Sequence, residues 1–277
     1  MKKIIALTMA LLMVLALFAG CAAKPATEDN KGAATPTDPA EGGQESATFT
    51  TVEEGKLIMA TNAFFPPYEF YEGEKIVGID AEIAAAIAEK LGLELVINDM
   101  EFDSIITNVK QGAADFGLAG LTVTDERKLE IDFSISYASG VQVIIVKEGS
   151  AITSYDDLAA EGAAYKIGVQ LGTTGDIYAT GEFGNDRVVT YNKGNEAIMA
   201  LTNGDIDCVI IDNEPAKAFV KANEGIVILD SSYADEDYAA CVNKENPELL
   251  AAIDKAIMEL TEDGTIDKII AKYIPAE

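Results

Sequence analysis

The chain has 277 residues, no histidine, three cysteines and a formal net charge of −27 at pH 7. An acidic balance of this size argues against nucleic acid and anionic lipid surfaces as partners, and fits a solvated, highly soluble surface. Without histidine, a zinc site and a His-based catalytic triad have no basis.

Lys2 and Lys3 form a basic start, and Ile4 to Ala19 is an uncharged apolar run. This is the layout of a secretory signal over residues 1–20, and the run is shorter than the ~20 residues of a spanning helix. Phe18-Ala19-Gly20-Cys21 resembles a bacterial lipobox, in which the cysteine is lipidated and becomes the first residue. Cys21 is therefore the expected lipidation site, with an uncleaved membrane anchor as the alternative. Residues 22–47 are rich in Ala, Thr, Pro, Gly and acidic residues with almost no large apolar side chain, a composition that builds no core. Residues 21–50 read as a flexible tether with a typical span of roughly 25–30 Å.

Strands and helices alternate from there. Leu57 to Thr61 is an apolar strand. In the loop after it Pro66 and Pro67 prevent helix, and Phe64, Phe65 and Tyr68 either seal a core or line a pocket. Asp80 is placed to cap a helix with Ile83, Ile87 and Leu91 on one face and Gly92 behind it. Asp103 is placed to cap the next, with Ile105, Ile106 and Val109 inward and Gly112 at its end. Phe116 to Gly120 reads as a strand end, and Thr124 as the cap of a helix starting at Asp125. Arg127 then falls in that helix's first turn, where the macrodipole disfavours a cation. Two readings stand. Either an anionic ligand sits on N–H groups of Gly120 and Thr122 with the guanidinium closing on it, or a surface arginine pairs with Glu126 or Glu130.

In the second half Lys166 to Gln170 is a strand, and Gly172-Thr173-Thr174-Gly175 turns into a helix near Asp176. Free N–H groups there, with the Thr173 and Thr174 hydroxyls, can meet a carboxylate. An ordinary strand-to-helix turn has the same composition, and the missing GK[ST] excludes a phosphate loop. Asn195 is placed to cap a helix through Leu201 that Gly204 ends; Ile206 to Ile211 is a strand. Asp212 follows it, either capping the next helix or facing a site. Asn246-Pro247 opens one C-terminal helix, and Thr265 after Gly264 opens the last. Cys208 and Cys241 lie in apolar runs that suit buried thiols, and nothing in the sequence places them together.

An internal echo marks two halves. Gln111 to Asp115, then an apolar strand, answers Asn203 to Asp207, then another. Five residues beyond each aspartate stand Gly120 and Asp212. Such loops follow the carboxyl ends of strands, where open α/β sheets bind ligands. The βαβ alternation implies mostly parallel sheets covered by helices.

Ala119-Gly120-Leu121-Thr122-Val123-Thr124-Asp125-Glu126-Arg127, followed by Ile131-Asp132-Phe133-Ser134, resembles the AG-x-T-x-T-x-ER…DFS stretch of bacterial family 3 solute-binding proteins. These are extracytoplasmic receptors of polar amino-acid ABC importers. Thr61 to Phe70 resembles the same family's T-x-x-x-FPPYEF run, and the resemblance extends from about Leu57 to the C-terminus.

It implies an α/β, two-lobed, periplasmic-binding-protein type II-like fold with two mostly parallel sheets covered by helices. Lobe 1 would comprise residues 51–140 plus 235–277, and lobe 2 residues 141–234. Crossover segments near Tyr137 to Gln142 and Ser232 to Tyr238 would form the hinge. It also implies that Arg127 grips an α-carboxylate together with Gly120, Thr122, Gln170, Thr173 and Thr174, and that Asp212 accepts the α-ammonium. Phe65 and Phe102 would pack on opposite sides of the ligand. Asn62 stands where several amino-acid binders carry Asp, removing a charge that would attract a cation. Glutamine or another neutral polar amino acid is compatible, and arginine and lysine remain open because aromatic faces hold cations.

The expected protein is a lipid-anchored monomer on the outer face of the cell membrane. It would use no cofactor, catalyse nothing, and deliver an amino acid to the transmembrane subunits of an ABC permease by hinged closure. Two rivals share the scaffold: a cyclohexadienyl or arogenate dehydratase-like enzyme, with Glu214 as its candidate acid, and a ligand sensor.

Overall fold

Apolar strands and one-sided helices alternate in the chain, and eight of the eleven strands of the described residues join one mixed sheet. The structure is a computed structural model that describes residues 49–275. The expected signal segment, Cys21 and the tether up to residue 48 lie outside the described residues. In chain order the strands are β1 Lys56–Thr61, β2 Phe64–Phe65, β3 Glu69–Glu72, β4 Lys75–Val77, β5 Glu94–Asp99, β6 Phe116–Gly117, β7 Asp132–Lys147, β8 Ile167–Gln170, β9 Val188–Tyr191, β10 Cys208–Asp212 and β11 Ile226–Val242. The helices are α1 Ile79–Leu91, α2 Ile105–Lys110, α3 Asp125–Glu130, α4 Tyr155–Ala159, α5 Thr174–Phe183, α6 Gly194–Asn203, α7 Asn213–Ala222, α8 Pro247–Glu262 and α9 Thr265–Tyr273.

The large sheet runs β5-β1-β6-β11-β7-β10-β8-β9, and β2-β3-β4 form a small second one. β5, β1 and β6 are parallel, as are β10, β8 and β9. Both parallel sets expected from the alternation are present, and antiparallel β7 and β11 join them into one ladder. The expected crossover segments are the middles of these two strands. There the pairing slips its register at several points between Ile228 and Cys241, irregularities that bend and twist a ladder.

The buried apolar residues follow the same division. Two clusters draw on residues 49–138 and 238–274, two others on residues 141–233, and Phe65 packs against one of each kind. Cys208 on β10 and Cys241 on β11 are free, buried thiols in different clusters, and burial pushes each up to about 12.

Several helix ends follow the sequence signals. Thr124 caps α3, Asn246 caps α8 with Pro247 at its start, and Gly92 and Gly204 close α1 and α6 in the left-handed conformation. Three expected caps are not caps. α1 begins after Gly78, which has φ +126° and lies under the Tyr68 carbonyl where a Cβ would sit 2.2 Å away; Asp80 turns into the core instead. Asp103 lies inside a 3-10 turn, Phe102–Ser104, and α2 starts at Ile105 with no side-chain cap. Asn195 is already helical, because α6 begins at Gly194, whose bare α-carbon lets Ile211 and Phe219 pack close.

The internal echo has a structural counterpart. Asp115 Oδ2 accepts from Ile58 N at 2.7 Å while Asp115 N donates to Ile58 O. Asp207 Oδ2 accepts from Lys166 N at 2.7 Å while Asp207 N donates to Lys166 O. In each half an aspartate after a Gly turn thus clamps the start of the neighbouring parallel strand. Asp115 also accepts from Val52 N at 2.7 Å. Replacing Asp115 by Ala leaves these donors unpaired and is expected to cost about 3 kcal/mol. In a domain of this size that is a fall of roughly 6–12 °C in Tm, measurable by circular dichroism.

Candidate functional site

The carboxyl ends of β1, β5, β6, β8 and β10 converge on the bent middles of β7 and β11, and between them lies a narrow cavity, about 20 Å³ to the centre of a water-sized sphere. Asn62, Phe65, Phe102, Gly120, Thr122, Arg127, Gln170, Thr173, Thr174 and Asp212 all line it.

Arg127 turns inward and is 6% exposed. Thr124 Oγ1 takes its backbone N–H at 3.2 Å, which anchors the first turn of α3 and aims the side chain at the cavity. Its Nη1 donates to Thr122 O at 2.7 Å and its Nη2 to Gly172 O at 3.0 Å; the Phe102 ring centre is 5.6 Å from Cζ. The surface-pair reading fails, since Glu130 pairs with Lys110 instead. Among the described residues no carboxylate forms an ion pair with Arg127. Burial works against the guanidinium charge, and the field of Glu236 supports it.

Asp212 answers both readings left open for it. Its Oδ1 accepts from Glu214 N at 3.1 Å, capping α7, while the residue is almost wholly buried at the cavity wall. Its Oδ2 accepts from the Tyr238 hydroxyl. Burial pushes its carboxyl up to about 7, although these two donors pull the other way.

The Gly120 N–H is not available to a ligand: it donates to Asp80 Oδ2 at 2.7 Å. Gly120 itself is held at φ +52°, with the Phe65 ring 2.8 Å from where a Cβ would be. Thr122 donates its hydroxyl to Glu236 Oε2 at 2.9 Å. Thr173 caps α5, accepting from Asp176 N at 3.3 Å and donating to Gln170 O at 2.8 Å.

Gln170 Nε2 donates to Asn62 Oδ1 at 3.0 Å and to Asn192 O at 3.1 Å, and Asn62 Nδ2 donates to Met100 O at 2.7 Å. Both Gln170 N–H groups are thereby used, which leaves its Oε1 as an acceptor. Glu236, Gln142 and Tyr238 also line the cavity. Glu236 is buried; its Oε2 accepts from Thr122 and from Gln142 Nε2 at 3.1 Å, and its Oε1 has no partner among the described residues.

The profile of bacterial extracellular solute-binding proteins, family 3, matches residues 57–276. This chain belongs to that family. It is 34% identical over 231 residues to the arginine-binding extracellular protein ArtP of Bacillus subtilis (strain 168), covering 80% of this chain and 87% of the relative. The solved arginine-, lysine-, histidine-binding protein ArtJ of Geobacillus stearothermophilus is 33% identical with a TM-score of 0.75, over 80% of this chain and 96% of that one. An ancestral arginine-binding protein solved bound to glutamine is 38% identical with a TM-score of 0.75, over 81% and 100%.

Within this family 3 protein the sequence reading missed Glu236, which lies in the acidic run Asp235-Glu236-Asp237. The strand alternation was the available signal. Counting back by twos from Val242 through Ala240 and Tyr238 puts Glu236 on the buried face and its two acidic neighbours outside. Glu214, the acid that an enzyme reading would use, accepts from Asn213 Nδ2 at 3.2 Å, pairs with Lys217 at 2.8 Å, and is not part of the cavity lining.

Because the folded pKa of Asp212 is raised above that of an exposed aspartate, the folded state holds the proton more tightly. The stability this lends is complete below about pH 4 and lost as pH rises to about 7. Asp80 shifts in the same direction, so the comparison with a variant isolates Asp212. Between pH 5 and 8, the Tm of the ligand-free wild type is expected to fall more steeply than that of Asp212→Asn.

Proposed function

We propose that this protein is the substrate-binding component of an ABC importer and that it captures an amino acid with a cationic side chain, arginine foremost. The observation that carries this is the charge set of one cavity: a guanidinium at Arg127 against carboxyls at Asp212 and Glu236, the last with an unpartnered oxygen. A zwitterion uses Arg127 for its carboxylate and Asp212 for its ammonium. One negative charge then remains, and a cationic side chain neutralises it. Asn62 carries no charge, yet Glu236 supplies one from another strand, and Gln170 Oε1 adds an acceptor. The ArtP and ArtJ descriptions agree with a cationic ligand, and the glutamine-bound relative supports a neutral polar amino acid as the second reading.

On this reading residues 51–140 with 235–277, and residues 141–234, are lobes that close on the ligand about β7 and β11. Contacts between them are already visible: Arg127 to Gly172 O, Gln170 to Asn62, and Lys193 Nζ 3.7 Å from the centre of the Phe64 ring. Cys21 would carry the lipid, residues 21–50 the tether, and the monomer would work on the outer face of the membrane. Metabolic labelling with palmitate, lost in Cys21→Ser, tests the anchor.

A thermal-shift panel of the twenty L-amino acids tests the ligand. A ligand at a hundredfold excess over its Kd stabilises by about 2.7 kcal/mol. Arginine is expected to give a clear rise that Arg127→Ala abolishes, whereas a flat panel would overturn the amino-acid reading. Glu236→Gln is expected to weaken arginine by roughly 10–100-fold, the worth of one charge-assisted bond, and to leave glutamine nearly unaffected.

Asp212 must be ionised to meet an ammonium, so binding expels its proton below about pH 7. Arginine affinity is expected to fall by roughly fivefold from pH 7 to pH 6. Calorimetry in two buffers of different ionisation enthalpy would reveal the released proton.

A further inference from the structure

Behind the cavity wall, Glu69 on β3 and Asp80 in the first turn of α1 are both fully buried. Asp80 Oδ2 accepts from Gly120 N at 2.7 Å and from the Tyr137 hydroxyl at 2.8 Å. Among the described residues neither Glu69 oxygen receives a hydrogen-bond donor, nor does Asp80 Oδ1. The backbone brings the two carboxyls together, since Asp80 N donates at 2.9 Å to the carbonyl of Tyr68, the residue before Glu69. Two adjacent charges buried with so few donors would be prohibitive, so one proton serves the pair.

The groups acting on Glu69 from other elements are Asp80 of α1, Asp99 of β5 and Asp212 of β10. Those acting on Tyr137 of β7 are Asp80, Glu69 and Tyr68. All are acids or phenols. Burial, and then Asp80, push Glu69 well above the usual carboxylate range, while burial lifts Asp80 to about 6 against the bonds from Gly120 and Tyr137.

Asp80 therefore presents an anionic oxygen to the Gly120 N–H. Gly120 leads to Thr122, whose carbonyl takes Arg127 Nη1 and whose hydroxyl reaches Glu236. Tyr68, beside Glu69, stacks on Phe65 and meets Tyr238 edge-on, and Tyr238 bonds Asp212. A single buried pair thus stands behind the Arg127 end of the cavity and, through two rings, behind the Asp212 end.

We propose that Glu69 and Asp80, with one proton between them, are positioning residues that hold the Gly120–Thr122 turn in ligand-binding geometry, and that losing this proton releases the turn. This deepens the receptor reading and rests on it for the ligand, though not for the turn. Raising the pH until Glu69 ionises sets two charges against each other, and Asp80 can no longer keep its place beneath Gly120.

The test is a ligand-free ¹⁵N–¹H NMR titration of the full chain from pH 5.5 to 9.5, in wild type, Glu69→Gln and Asp80→Asn, with arginine affinity measured by calorimetry over the same range. In the wild type the Gly120 amide is expected downfield, protected from exchange, and titrating. In Glu69→Gln, where an amide N–H replaces the shared proton, the resonance should stay downfield and cease to titrate on the alkaline side. Asp80→Asn should move it upfield with exchange at least about tenfold faster, as expected when a charge-assisted bond is lost.

Arginine affinity should weaken on the alkaline side in step with Gly120 in the wild type. Glu69→Gln should lose that limb and keep the acidic limb of Asp212. A Gly120 amide flat with pH in the wild type, an alkaline titration that persists in Glu69→Gln, or an affinity with no alkaline limb would overturn the proposal. A wild type that binds no amino acid would sink the receptor reading, and the Gly120 titration would still decide whether the pair governs the turn.

Discussion

Arg127 carries a full positive charge into the protein interior and finds there two backbone carbonyls and the face of a phenyl ring. Removing a guanidinium from water is expensive unless an anion accompanies it. Much of the surrounding structure meets that requirement. Thr124 fixes the turn that aims the side chain, Gly172 brings a carbonyl from the second half of the sheet, and Glu236 contributes field without pairing directly. Among the described residues no carboxylate pairs with the guanidinium directly, so backbone dipoles, a ring face and a more distant field meet its charge.

The two arginine bonds also explain how occupancy and shape become one variable. Thr122 O belongs to the same stretch as the helix that bears Arg127, whereas Gly172 O lies 45 residues downstream on the far side of the cavity. The side chain touches both walls, as do the Gln170–Asn62 amide pair and Lys193 on Phe64. On the proposed reading, a ligand held between the same walls would bias their separation through the contacts it adds, the energetic basis of closure by selection among states.

Much of this was legible in the sequence where a local signal had a single physical meaning. Thr124 before an apolar-poor turn, Asn246-Pro247, and glycines behind α1 and α6 mark helix ends because each answers an orphan backbone group. The GTTG turn and the repeated Gly–Asp step located both loops of the cavity. Legibility failed where one residue type serves two purposes. A buried aspartate in a first turn reads like a cap, and so Asp80 was misassigned while the Gly120 N–H it consumes was offered to a ligand. Asp103 and Asn195 failed because glycine packing and a 3-10 turn set those boundaries. Glu236 was hidden among acidic neighbours, and only the two-residue period of a strand separates it from them.

β7 and β11 each serve both halves of the sheet, and this sets an order of events as the chain emerges from its N-terminus. The core drawn from residues 141–233 is complete once those residues are out. The other core lacks Tyr238, Ala240, Val242, α8 and Ile266 until nearly the last residue has followed. The faces of β1 and α1 that pack into this core therefore stay incompletely covered until then, whereas the cluster around Ile105 and Ile131 lacks only Cys241. A vectorial process such as export would thus assemble the middle of this sequence before its beginning.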